Sequence, residues 1–164
     1  MKIEVKQNEL MNAINVANKA VSKNTNIQIH ELIYFEAKDD RLLLTAFDGE
    51  ITILTSIPAL VKEEGEMAVK ANLFSGIIRK LPNDTVKIEI KDGKINIRSQ
   101  NSNFNLIAFE YFEKQDLSLP ETEAIEIAND KLKRSILQTE FATSIDETKL
   151  ALTGILFELK ENYL

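Results

Sequence analysis

Chemistry needs groups that can move a proton, hold a metal or make a bond, and this 164-residue chain is poor in them. It has one histidine, His30, and no cysteine. No disulfide or thiolate metal site can form, which fits a reducing compartment and an expected place in the cytoplasm. No GxxxxGK[ST] phosphate loop and no HExxH zinc helix is present. His30 falls at the edge between a loop and a strand. Acid–base work needs a convergent partner, none is legible, and His30 reads as structural or solvated. The carboxylate runs Asp39-Asp40 and Glu63-Glu64-Glu66 flank turns and read as solvated faces rather than metal ligands. No catalytic residue, metal site or cofactor is expected.

The cations are more informative. The net charge of −6 argues against a general nucleic-acid binder, whose footprint is basic. That average hides segregation. Three segments with helical patterning carry Lys70, Arg79 and Lys80, then Lys131, Lys133 and Arg134 against Asp130 and Glu140, and one balanced Glu9–Lys19 pair. Together they hold +4, so the rest of the chain holds −10. If the helices share one side, that side is mildly basic within an acidic protein. Such a surface attracts phosphate without gripping bases. Helix ends also carry Lys and Arg for dipole reasons, so charge alone leaves both readings open.

The elements that must position these residues follow from periodicity. Ile3 and Val5 begin a short strand. Asn8 is expected to cap a helix with Leu10, Met11, Ile14, Val16 and Ala17 as its apolar positions. Residues 31–57 form a meander of three strands, turned at Asp39-Asp40 and Asp48-Gly49. After the short strand EMAVKA comes a second helix, NLFSGIIRKLP, with Leu73, Phe74, Ile77, Ile78 and Leu81 at helical spacing and Pro82 as its stop. Val86, Ile88 and Ile90 alternate, Asp92-Gly93 turns the chain, and Ile95 and Ile97 alternate on the way back. About eight strands and two helices are expected. Hairpin connections make the sheets mainly antiparallel, and the single apolar stripe of each helix places both on one face, an α+β fold. No run approaches the roughly 18 apolar residues of a membrane helix, and the start lacks the apolar core of a signal peptide.

The pattern then begins again. Shifted by 122 positions, residues 1–42 meet residues 123–164 without a gap, with 11 identities in 42 pairs. Ile3-Glu4 meets Ile125-Glu126, Leu10 meets Leu132, Ile14 meets Ile136, and Phe35-Glu36 meets Phe157-Glu158. A period of this kind marks a repeated structural unit. The unpatterned stretch ending at Pro120 reads as a linker, giving a complete unit over 1–120 and the opening of a second over 121–164. That opening is expected to comprise a strand at IEI, a helix capped by Asp130, and a strand at LTGILFELK. About 40 residues rarely bury enough surface to fold alone, so the second unit should lean on something else.

In this order and spacing, MKIEV, LLLTAFDGEI, VKANLFSGIIRKLP, INIRSQNSNFNL and DETKLALTGILFE resemble the N-terminal part of bacterial sliding clamps, the beta subunits of DNA polymerase III. The resemblance covers essentially the whole chain and rests on the set rather than on any one motif. It implies the DNA clamp fold, with a full first domain and part of a second. It also implies a processivity factor in which two three-domain chains ring duplex DNA without sequence preference and tether the replicative polymerase, with clamp-loader subunits as further partners. A chain of this extent is expected not to close a ring alone.

Carried over residue by residue, the resemblance implies DNA-facing roles for Arg79 on the second helix, beside Lys80, and for Lys133 and Arg134 on the restarted helix. It implies loop contacts at Lys23, Asn24 and Lys149, although Asn24 stands where many relatives have arginine. A subunit interface is implied at Leu73 and Ile77 beside an edge strand, Ser102 to Leu106, with Phe104 between; a free strand edge next to an apolar stripe suits strand addition. Leu152 is implied in a groove for partner peptides, and it reads equally well as a core residue. Two other classes stay open: a protein-binding adaptor built on the same repeat that never rings DNA, and an enzyme of unrecognised type.

Overall fold

The computed structural model describes residues 1–22, 25–109 and 126–158. The chain divides into two units, Met1–Gln115 and Asp116–Leu164.

Alternating apolar residues and tight turns build most of the first unit. In order it holds β1 (Lys2–Lys6), α1 (Gln7–Ala17), β2 (Leu32–Lys38), β3 (Arg41–Phe47), β4 (Thr52–Pro58), β5 (Leu60–Glu63), β6 (Gly65–Lys70), α2 (Ala71–Lys80), β7 (Thr85–Lys91), β8 (Lys94–Ser99) and β9 (Ser102–Ile107). Along β3, Leu42, Leu44 and Ala46 are buried while Leu43 and Thr45 are partly exposed, the period of a half-buried strand. Asp39 and Asp40 turn β2 into β3 with φ of 49° and 55°, and Asp92 and Gly93 turn β7 into β8 with φ of 53° and 69°. Left-handed pairs of this kind match the twist of a two-residue hairpin, and aspartate and glycine tolerate them.

The third turn accounts for the lone histidine. Asp48 accepts hydrogen bonds from the backbone N–H of Glu50 (3.0 Å) and Ile51 (2.8 Å). Gly49 follows at φ 108°, and a Cβ there would stand 3.1 Å from His30 Cε1. His30 is buried, edge-on to the ring of Phe47 at 5.3 Å. It packs as a structural residue beneath the turn.

All strand pairings among the described residues are antiparallel. One sheet runs β5-β1-β7-β8-β9 and the other β4-β3-β2-β6. The short strand β5, pairing with β1, is absent from the sequence reading. Both sheets and both helices share one core, in which Ile3, Leu10, Ile14, Phe35, Phe74 and Ile97 are fully buried. Phe35 on β2 meets Phe74 on α2 edge to face at 5.0 Å, a contact that ties helix to sheet.

The helices differ from expectation in detail. α1 begins at Gln7 after Lys6, and the Asn8 side chain accepts from the adjacent Glu9 N–H (2.8 Å) rather than capping the helix. Its buried positions are Leu10, Ala13, Ile14 and Ala17, whereas Val16 is 43% exposed. On α2, Ala71, Phe74, Ser75 and Ile78 are buried, Ile77 is partly buried against the core and Leu73 is 52% exposed. Two side-chain bonds hold the helices together: Gln7 Nε2 donates to the Ile78 carbonyl (2.8 Å), and Asn18 Nδ2 to Ser75 Oγ (3.0 Å).

The second unit repeats the opening of the first at the same offset. α3 (Asn129–Thr139) is α1 moved by 122 positions, and the 3₁₀ turn Asn18–Ala20 recurs at Glu140–Ala142. The backbone bond from Ser22 N–H to the His30 carbonyl (2.9 Å) recurs from Ser144 to Leu152 (2.8 Å). Two expectations fail. α3 begins at Asn129 after Ala128, so Asp130 lies inside it rather than capping it. Residues 153–158 form no strand, nor do Glu126 and Ile127, while Ile125 lies outside the described residues. A strand must satisfy its backbone groups across a ladder. In the first unit the counterpart β2 lies between β3 and β6, and among the described residues the second unit offers no such neighbours. Leu132 and Ile136 are accordingly partly exposed, whereas their counterparts Leu10 and Ile14 are fully buried.

Candidate nucleic-acid interface

α2 turns its apolar side to the sheets, which leaves Asn72, Gly76, Arg79 and Lys80 exposed on the opposite side. Arg79 and Lys80 occupy the last turn, where a cation is favoured by the helix dipole. No acidic group lies within ion-pair distance of either among the described residues. Lys70, at the other end of the helix, is engaged by Glu31 at 3.3 Å. The two unpaired cations are therefore the ones free to meet an anion. The carboxylates of Glu4 on β1 and Glu89 on β7 are each engaged by lysine.

Lys133 and Arg134 are exposed on α3. Lys149 is exposed at a kink of the 3₁₀ segment Glu147–Leu152, with its N–H on the Asp146 carbonyl (3.2 Å). The Asp146 carboxylate beside it accepts from the Thr148 hydroxyl and N–H, which lowers its pKa below the usual aspartate value. It stays ionised and offsets the lysine charge. Lys23 and Asn24 lie outside the described residues. Leu152 is 56% exposed and therefore not a core residue of the described second unit.

The proposed interface residues are only partly brought together. Leu73 and Leu106 line one cleft of about 370 Å³ with Val69, Lys70, Asn105, Ile107 and Phe109. Phe104 is 38% exposed on β9, Ser102 pairs with Ser99, and Ile77 packs toward the core; none of the three lines the cleft. β9 ends its sheet, so one of its edges carries no strand among the described residues. Its exposed side bears a polar lattice, in which Asn96 Nδ2 donates to Asn103 (2.6 Å) and Asn105 (2.8 Å). Sequence reading missed this lattice, although the asparagines recur at strand period.

Comparison with known proteins identifies the family and the fold. The sequence model of the family described as DNA polymerase III beta subunit, N-terminal domain, matches residues 1–119. The beta sliding clamp of Bacillus subtilis is 34% identical over 174 residues, covering 100% of this chain and 46% of the relative. Its solved sliding clamp superposes with a TM-score of 0.84 at 34% identity, over 92% of this chain and 42% of that one. A chain from Eubacterium rectale, assigned as a DNA polymerase III beta subunit, gives 0.89 at 33% identity, over 99% and 45%. The class is thus that of the sliding clamps, with two antiparallel sheets backing a pair of helices. Within it, the chain belongs to the DNA polymerase III beta subunit family, and it spans about half the length of the relatives it matches. No helix among the described residues is long and apolar enough to cross a membrane.

Proposed function

We propose that this chain acts as a segment of a processivity clamp: a non-catalytic ring element that rides on duplex DNA and tethers a replicative polymerase. The observation that carries the reading is the match to beta sliding clamps along the whole chain at 34% identity. The exposed, unpaired cations of α2 support it. Residues 1–120 are assigned to a complete clamp domain and 121–164 to the opening of a second, a division supported by the recurrence of α1 and its following turn at an offset of 122.

In this reading Arg79, Lys80, Lys133, Arg134 and Lys149 face the phosphate backbone, and Lys23 and Asn24 are assigned to the same role. Leu73, Phe104 and Leu106, with Ile77 and Ser102 behind them, meet a second chain along β9, as a homodimeric ring requires. Leu152 contributes to a groove for polymerase and clamp-loader peptides. Replication places the protein with the chromosome in the cytoplasm.

Retention on immobilised duplex DNA at low salt tests the reading. Arg79→Glu with Lys80→Glu should abolish retention while leaving the melting temperature within a few degrees, since both side chains are exposed. Unchanged retention would favour an adaptor that never meets DNA.

A further inference from the structure

Four strands end the two sheets: β5 and β9 in one, β4 and β6 in the other. An open edge presents unpaired backbone groups, and proteins blunt it by covering it, keeping it short or charging it. Two of the four edges are blunted in this way. Phe109 lies across β6, exchanging backbone hydrogen bonds of 2.9 Å with Ala68. β5 has four residues and ends in Lys62 and Glu63. The other two edges lack these devices. β9 reads SNFNLI and β4 reads TILTSIP, with no charged residue in either. Among the described residues, no strand pairs with β9 beyond β8, or with residues 53–58 beyond β3.

Exposed apolar side chains collect at the same two places. Leu73, Phe104 and Ile107 are exposed on and beside β9. Leu54 is exposed on β4, and Ile51 just ahead of it. Ile27 and Ile29 are exposed ahead of His30, which packs beneath the Asp48-Gly49 turn leading into β4. Concentrations of exposed apolar surface mark places where another chain binds.

Charge tells the two ends apart. Residues 94–107 hold Lys94 and Arg98 and no acid, while residues 48–58 hold Asp48 and Glu50 and no base. The two ends are alike in apolar character and opposite in charge.

We propose that the β4 edge of one copy of this chain receives the β9 edge of another, so that copies join head to tail. Residues 53–58 match the six residues of β9 in length, and the four-stranded sheet of one copy runs on into the five-stranded sheet of the next. The proposal rests on the clamp reading in one respect, that β9 meets a second chain, and adds the surface that this chain offers in return. Apolar side chains of both ends leave water, which drives the contact, and the charges set its direction. The two partners use different surfaces, so the contact does not close on itself at two copies. Every pair keeps one β4 edge and one β9 edge open.

The test is sedimentation velocity of the 164-residue chain over a concentration series, repeated for Leu54→Lys, for Phe104→Lys and for an equal mixture of the two variants. Lysine at an edge blocks strand addition. Both positions are exposed, so melting temperatures should stay within a few degrees of the parent. The mean mass of the parent should rise with concentration past two chains and fall as salt is raised. Each variant alone should remain monomeric. The mixture keeps one working pair, β9 of the Leu54→Lys variant on β4 of the Phe104→Lys variant, and should stop at two chains. If Leu54→Lys associates as the parent does while Phe104→Lys does not, the proposal falls and a role for β9 in the clamp reading stands. A parent that stays monomeric at every concentration, a mixture that stays monomeric, or association that survives both substitutions also overturns the proposal. In each of those cases retention on duplex DNA, through Arg79 and Lys80, decides the clamp reading separately.

Discussion

At the scale of single residues, the charges proposed to attract DNA are separate from those that hold the fold. Arg79 and Lys80 are exposed and unpaired among the described residues, so their truncation should act chiefly on binding and only slightly, through the helix dipole, on stability. Arg79→Ala or Lys80→Ala should weaken duplex binding equally for unrelated sequences and reduce the salt slope by about 0.9 each. The carboxylates do the reverse work. The backbone N–H groups of Ile51 and Glu50 lower the pKa of Asp48, and the Gln100 side chain with the Thr85 N–H lowers that of Asp84. Glu4 is lowered chiefly by its hydrogen bond to Lys62. A group depressed in the folded state contributes stability that is present above its unfolded value and is lost as pH falls through the folded one. Stability should therefore hold at neutral pH and decline below the ordinary aspartate value of 3.8. Thermal melts across that range for the parent and Asp84→Asn check the sign, and the variant should lose less on acidification.

Elements were legible where one local rule decided them. The hairpins at Asp39-Asp40 and Asp92-Gly93 announced themselves, because few residues accept two consecutive left-handed conformations. Helix α2 was visible in its apolar spacing, but spacing did not say which of Leu73, Phe74, Ile77 and Ile78 faces inward; packing against Phe35 selects Phe74 and Ile78. β5 escaped because four residues, Leu60–Glu63, carry too little alternation, and its place is set by pairing with β1. The strand expected at residues 152–160 is absent over 152–158 for the complementary reason: its residues suit a strand, but no ladder partner is present among the described residues. On the site, cations showed through in charge counts, and the asparagine lattice of β8 and β9 did not, since asparagine adds nothing to a charge balance. Two predictions belong here. Phe74→Ala should destabilise the first unit by about 3–5 kcal/mol in denaturant unfolding, as large-to-small changes in a full core do. Asn12→Ala with Asn15→Ala should stabilise it by up to about 1 kcal/mol, since alanine is the better helix former at exposed positions.

For the whole molecule, the two units should behave unequally. α1 has four buried residues and α3 has none among those described. Amides of α3 should exchange with solvent orders of magnitude faster than those of α1, which lie within the shared core. The 164-residue chain spans 46% of the Bacillus subtilis clamp it matches, so light scattering of this chain should find no closed ring. The face proposed to meet DNA is a mildly cationic helical surface on a protein of net charge −6. The most direct test of that claim is the affinity of the chain for two duplexes of unrelated sequence, measured by fluorescence anisotropy across a salt series. The account predicts weak binding, equal for both duplexes, that falls linearly on logarithmic axes and is gone at moderate salt. Tight binding that prefers one sequence, or binding indifferent to salt, would contradict it.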